Sequence, residues 1–224
     1  MQESYSTLSL RVAGAVKKLI VDNPSACLGL PTGRTPAGCY RLLSGWSQDG
    51  RLDWRQVKCF ALDEYIDAPE RASFKSYLER NLYGNTNLPA TSRFCPALVD
   101  NYDELIALHG GLDLTILGIG GNGHIAFNEP GTPLHSWTHG IFLAEATRQA
   151  NAEFFDRKES IPTRAVTMGI QTILTSRKII LIASGAQKRD ILVRALEGRV
   201  TPEVPASFLQ LHANVEVITD FDLC

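Results

Sequence analysis

A chain of 224 residues with 44% hydrophobic and 21% charged residues is long enough to bury a sizeable core and has the balance of an ordinary globular protein. The formal net charge of −2, with no basic stripe, argues against a nucleic-acid partner, and no apolar run reaches the length needed to cross a bilayer. Cys27, Cys39, Cys59, Cys95 and Cys224 are odd in number and scattered, which disfavours a disulfide framework or a Cys-based zinc site. Arg11, Lys17 and Lys18 interrupt the early apolar positions, so no secretory leader is expected and the thiols read as those of a reduced, cytoplasmic protein.

Leu8, Val12, Ala15, Val16 and Leu19 fall on one helical face, and Asp22-Asn23-Pro24 ends the stretch. Ala26 to Leu30 is an apolar run suited to a buried parallel strand, after which Thr35 and Pro36 give an N-cap with proline at the first helical position. The pattern repeats. Val57 to Leu62 reads as a strand, Ser73 with Phe74, Tyr77, Leu78 and Leu82 as a capped helix, and Leu112 to Leu117 as a strand. Lys178 to Ala183, Ala186 to Leu196 and Val215 to Ile218 follow as strand, helix and strand. This alternation predicts one α/β domain over residues 1–224, Rossmann-like, an open and mostly parallel sheet with helices on both faces.

Open parallel sheets bind ligands beyond the carboxyl ends of their strands, so the loops there carry the search for function. Thr32, Gly33 and Thr35 offer hydroxyls and backbone N–H groups at a helix start, suited to a phosphate or to no more than a capped turn. Ser184-Gly185 with Lys188 repeats that composition, although Lys188 reads equally as a solvated surface lysine. Asp63-Glu64 places at least one carboxylate at the binding edge, unless Asp63 simply caps the next element. Gly118 to Gly123 formally fits the dinucleotide fingerprint, but Pro130 stands seven residues after its last glycine, where the fingerprint requires a helix. Those glycines are better suited to letting the backbone approach a small ligand. His124 and Glu129, five residues apart and flanked by Asn122 and Asn128, have the makings of a general acid/base pair or of a structural histidine. His135 and His139 are four apart, yet Pro133 weakens a helix there, and no metal site is expected.

Taken together these segments resemble the glucosamine-6-phosphate deaminase family, within a wider group that includes 6-phosphogluconolactonases and ribose-5-phosphate isomerases. The resemblance rests on Leu28 to Gly33, Leu62-Asp63-Glu64-Tyr65, Gly118 to Gly131 (GIGGNGHIAFNEPG), Thr147 to Asn151, Ser184 to Lys188 and Pro205 to His212, in that order. It implies opening of an amino-sugar 6-phosphate, aldose-to-ketose isomerisation and loss of ammonia to give fructose 6-phosphate, with no cofactor and no metal. By the same carry-over, His124 shuttles the ring-opening proton, with Glu129 orienting it and Asn122 beside it. Asp63 moves the proton from C2 to C1. Thr32, Gly33, Thr35, Arg148 and Lys188 hold the phosphate, Gly118, Gly120 and Gly121 leave room for the sugar, and Glu64 supports the base from behind.

Two departures qualify the resemblance. Long hexameric members carry Asp where this chain, like short members, has Asn122, which implies a less basic His124. His139 and Ile141 stand at the basic positions of an effector site, which implies a monomer or small homo-oligomer rather than an allosteric hexamer; a sigmoidal rate curve would overturn this. Arg34 stands where a glycine is common. The galactosamine 6-phosphate epimer remains an open alternative substrate. A lactone hydrolase and a non-catalytic sugar-phosphate sensor fit less well, the first because of Tyr65 and Asn128 to Gly131, the second because Asp63, His124 and Glu129 are all present.

Overall fold

A computed structural model describes residues 4–150, 152, 155 and 161–223; Asn151 and Cys224 lie outside the described residues. Helix α1 (Tyr5–Asp22) starts at Ser4, whose hydroxyl accepts from the Thr7 N–H at 3.2 Å, and it buries Leu8, Val12, Val16 and Ile20 along one stripe. Ala15 and Leu19, expected on that stripe, pack at its margin. Strand β1 (Cys27–Leu30) leads into α2 (Ala37–Gln48), and β2 (Lys58–Ala61) is followed after one residue by β3 (Asp63–Tyr65). Then come α3 (Phe74–Asn81), β4 (Arg93–Phe94), α4 (Tyr102–Leu108), β5 (Leu114–Gly118), β6 (His139–Phe142) and α5 (Glu145–Ala150). β7 (Arg164–Thr167), α6 (Ile170–Leu174), β8 (Ile179–Ala183), α7 (Arg189–Glu197) and β9 (Val215–Thr219) complete the order.

Six strands form the parallel sheet in the order β4-β2-β1-β5-β8-β9. Side chains alternate between its two faces: Leu28, Leu30, Ile116, Ile180 and Ile182 join the core under α1 and α2. Cys27, Leu117, Ile179 and Leu181 join the core of the opposite face, with Tyr102, Ile106, Ile170, Ile173 and Ile191. Burial on both faces explains the nearly continuous apolar runs of the strands. Cys27, Cys39, Cys59 and Cys95 are buried free thiols. No helix among the described residues is long and apolar enough to cross a membrane.

Two expectations shift. Thr35 does not cap α2; the N-cap is Pro36 and no side-chain cap bond is made from it, while the Gly38 N–H is taken by the hydroxyl of Tyr5 at 2.8 Å. The second helix after a candidate phosphate loop begins with a 3-10 turn, Ala186–Lys188, before α7. A second, antiparallel sheet, β3-β7-β6, lies outside the predicted set of elements. It pairs Asp63 with Thr167 and His139 with Thr167 on the other side of β7, so His139 begins a strand rather than a helix.

Candidate active site

The strand order reverses between β1 and β5: from β1 the chain moves outward to β2 and β4, whereas β5, β8 and β9 extend the other way. Loops leaving adjacent strands in opposite directions open a crevice at their carboxyl ends. A cavity of about 310 Å³ occupies that place, lined by residues 31–36 after β1, Leu62 and Asp63 after β2, and 118–121 with His124 after β5. Phe74, Ala126, Phe127, Thr147 and Lys188 complete its wall.

The loop after β1 is fixed by three phenols from three helices. Tyr40 donates to the Pro31 carbonyl at 2.5 Å, Tyr77 to the Gly33 carbonyl, and Tyr5 to the carbonyls of Arg34 and Thr35 at 3.0 and 3.2 Å. Carbonyl oxygens repel an anion, and here they are engaged by hydroxyl donors. Gly33 has φ +100°, a conformation that L side chains rarely adopt, so this glycine shapes the loop. From the sequence Tyr77 reads only as part of a capped helix, and nothing local links Tyr5 or Tyr40 to the loop.

Asp63 stands where the chain leaves the parallel sheet and enters the antiparallel one. The Met168 N–H donates to the Leu62 carbonyl at 2.7 Å, pinning that junction. The Asp63 side chain is buried, and burial followed by the neighbouring Glu64 charge pushes its carboxyl up to about 8. Glu64, one residue on, takes the other side of the strand. Its carboxylate accepts from the N–H groups of Tyr65 and Phe74 at 2.8 and 2.9 Å and of Lys75 at 2.7 Å, two of which open α3. Glu64 therefore does not line the cavity: it anchors the helix start that carries Phe74 to the cavity wall.

The segment after β5 makes a tight turn, with Gly120 N–H donating to the His124 carbonyl at 2.9 Å and Gly123 N–H to the Gly120 carbonyl at 3.1 Å. The turn lays the imidazole over Gly120, where an added Cβ would sit 2.2 to 2.4 Å from the ring atoms. Asn128 then ties the segment to the end of β7, donating to the carbonyls of Ile125 at 3.0 Å and Met168 at 2.8 Å. Its role is to hold the loop.

Behind His124 lies a carboxylate with two fixed oxygens. Glu129 Oε2 is 3.7 Å from His124 Nδ1 and also accepts from Asn122 Nδ2 at 2.9 Å, while Glu129 Oε1 accepts from the hydroxyl of Thr147. Asn122 Oδ1 accepts from the His124 backbone N–H at 3.2 Å. Asn122 and Glu129 do not line the cavity; they act on the histidine from behind. The imidazole is held below its ordinary basicity, first by burial and then by Lys188, with Glu129 opposing. Burial is the leading cause, and Asn122 touches the histidine only through its backbone N–H.

The proposed phosphate holders separate. Thr32, Gly33, Thr35 and Lys188 line the cavity, as do Gly118, Gly120 and Gly121. Arg148 does not: its guanidinium donates to Glu145 at 2.8 Å and to the Ile161 carbonyl at 3.4 Å. Thr147, its neighbour on α5, lines the cavity instead; a helix turns successive side chains about 100° apart, so only one of the two faces inward. The second candidate loop is occupied by the chain's own anion, since the Ser184 hydroxyl and Gly185 N–H donate to Asp220 at 2.5 and 2.8 Å. Only Lys188 of that segment reaches the cavity, donating to the Ile119 carbonyl at 2.8 Å.

In the sequence Thr147 is legible only as part of the run Thr147 to Asn151, with no role of its own. Its buried hydroxyl makes it a positioning residue for Glu129. Thr147→Val is expected to lower kcat about tenfold and to alter the pH profile, whereas Thr147→Ser keeps most of the activity, as measured by steady-state kinetics.

Comparison with known proteins gives the family. A family model described as glucosamine-6-phosphate isomerases/6-phosphogluconolactonase matches residues 1–218. The chain belongs to this family. Among family members, a glucosamine-6-phosphate deaminase of Lachnoclostridium phytofermentans is 42% identical over 98% of this chain and 97% of its own length. One of Bacillus pumilus is 42% identical over 97% of this chain and 95% of its own. A solved structure of a monomeric glucosamine-6-phosphate deaminase superposes with a TM-score of 0.92 at 38% identity, covering 97% of this chain and 94% of that one. The 6-phosphogluconolactonase of Thermotoga maritima shares the fold, with a TM-score of 0.75 at 18% identity.

Proposed function

We propose that the chain is a glucosamine-6-phosphate deaminase, converting glucosamine 6-phosphate to fructose 6-phosphate and ammonia. The observation that carries this reading is that Asp63 and His124 line one cavity together with the loop 31–36. A sugar phosphate anchored by that loop presents its reacting carbons to a carboxylate and an imidazole at once. The relatives at about 40% identity over nearly full length carry the same named activity. In keeping with the monomeric relative, the enzyme acts as a monomer or small homo-oligomer, in the cytoplasm.

The chemistry follows from the protonation states. At neutral pH His124 is an uncharged imidazole, able to take the anomeric hydroxyl proton and pass it to the ring oxygen as the pyranose opens. In the open chain, Asp63 removes the C2 proton, giving an enolamine, and returns it to C1, giving a ketimine. Water adds to the C2 imine carbon, and the C–N bond breaks to release ammonia and leave the ketone of fructose 6-phosphate. Burial and the Glu64 charge let Asp63 hold its proton until about pH 8. The substrate's ammonium group, arriving beside it, favours the carboxylate and so prepares the base.

This gives a pH signature. kcat/KM, which reports the free enzyme, is expected to rise with pH along a limb centred near 8, and the corresponding limb of kcat to lie at lower pH. Coincident limbs in both parameters would count against substrate-assisted ionisation. The activity itself is tested by offering glucosamine 6-phosphate, galactosamine 6-phosphate and 6-phosphogluconolactone separately and measuring ammonia and ketose phosphate. Ammonia from glucosamine 6-phosphate is expected. Ammonia from neither amino sugar ends the reading, and a preference for the galacto epimer replaces the substrate within it.

A further inference from the structure

A phosphate monoester carries close to two negative charges at neutral pH, and its site must supply matching cations and donors. The cavity supplies fewer than the sequence suggested. Arg148 lies outside its wall with its guanidinium on Glu145 and the Ile161 carbonyl, and the Ser184-Gly185 donors are given to Asp220. Lys188 lines the cavity, but burial lowers its basicity and its ammonium already donates to the Ile119 carbonyl. Among the described residues, the remaining permanent cation in the wall is Arg34, an exposed residue within the loop 31–36.

We infer that Arg34 is the phosphate clamp of this enzyme, its guanidinium closing over the substrate's 6-phosphate from the rim while the loop 31–36 holds the anion below. The backbone at Arg34 is well placed for that task. Tyr5 holds the carbonyls of Arg34 and Thr35, and Tyr77 holds that of Gly33, so the base of the side chain is rigidly placed at the rim. A guanidinium offers two parallel N–H donors to two phosphate oxygens and never loses its charge, neither of which a lysine matches. The surroundings favour an anion as well: the carboxyl of Asp63, in the wall, stays protonated up to about pH 8. Arg34 also makes an interaction of its own, so phosphate binding exchanges one partner for another.

This inference rests on the proposed function for the identity of the phosphate's carrier, and its test separates the two. Wild type, Arg34→Ala, Arg34→Lys and Arg148→Ala are compared by steady-state kinetics with glucosamine 6-phosphate and by calorimetric titration with inorganic phosphate and fructose 6-phosphate. Arg34→Ala is expected to weaken both titrations and raise KM by roughly tenfold to a hundredfold, the loss falling on KM more than on kcat. Arg34→Lys should recover part of the loss, and Arg148→Ala should cost less than Arg34→Ala. Unchanged binding in Arg34→Ala, or a larger loss in Arg148→Ala, overturns the assignment. Should the wild type release no ammonia, the deaminase reading fails, yet the titrations still decide whether Arg34 holds phosphate.

Discussion

Asp63→Asn is expected to reduce ammonia release by a factor of about a thousand or more while yielding a protein that melts at a higher temperature than the wild type. Loss of the carboxylate proposed to carry a proton between adjacent carbons removes the isomerisation step, and phosphate binding survives because the loop 31–36 is untouched. The stability gain follows from burial. Asp63 has an ordinary value of 3.8 and is pushed up to about 8 in the fold, so between those limits the folded chain binds more protons than the unfolded one. Stability therefore falls as pH rises through that window, since the buried carboxyl resists the charge that the unfolded chain accepts freely. About four pKa units at about 1.4 kcal/mol each bound the cost at roughly 5 to 6 kcal/mol above pH 8. Asparagine escapes it. Allowing for relaxation of the charged form, a gain of roughly 5 °C at pH 8 that shrinks toward zero near pH 4 is the expected melting curve. A variant that is inactive but no more stable at pH 8 than at pH 4 would show that Asp63 is not strained by its site.

Such a trade of stability for reactivity was legible in the sequence only in part. The position of Asp63 was readable because a buried parallel strand announces itself through Cys59, Phe60, Ala61 and Leu62, and residues just past it fall at the ligand edge. What lay beyond was not. β6 alternates half-buried and exposed positions, His139 to Phe142, and β3 has only three residues, so neither stands out from loop composition. Without that second sheet nothing in the sequence separates Asp63 from Glu64, although the pleat sends one carboxylate into the cavity and the other to the start of α3. The same holds for Thr147 and Arg148, where one helical step decides which faces inward. Asp220 was invisible as the occupant of the Ser184-Gly185 donors because the two segments meet only through the pairing of β8 with β9. Local patterns located the loops; the choice between neighbouring side chains belonged to tertiary structure.

That choice is sharpest at Gly120, where Gly120→Ala is expected to cost about a hundredfold in kcat/KM while changing the melting temperature by only a few degrees. An added Cβ would lie 2.2 Å from His124 Cε1, 2.3 Å from Nδ1 and 2.4 Å from Nε2, far inside van der Waals contact. Something must move, and the imidazole is the element that can, because the backbone of the turn is held by the Gly120 and Gly123 hydrogen bonds and by Asn128. The methyl group would displace the ring from Glu129 Oε2, already 3.7 Å away, and from the cavity wall. A shift of about 1 Å in a proton-transfer group is enough for a hundredfold loss. Stability changes little because the ring is partly exposed and its Nδ1 makes no hydrogen bond that displacement would break. The comparison that decides the matter is with His124→Gln, which removes the imidazole outright. If Gly120→Ala retains full activity while His124→Gln does not, the ring tolerates displacement and the glycine serves only the turn. Equal losses, with ring opening rather than isomerisation becoming the slow step in both, place Gly120 beside His124 as the residue that sets where the proton is delivered.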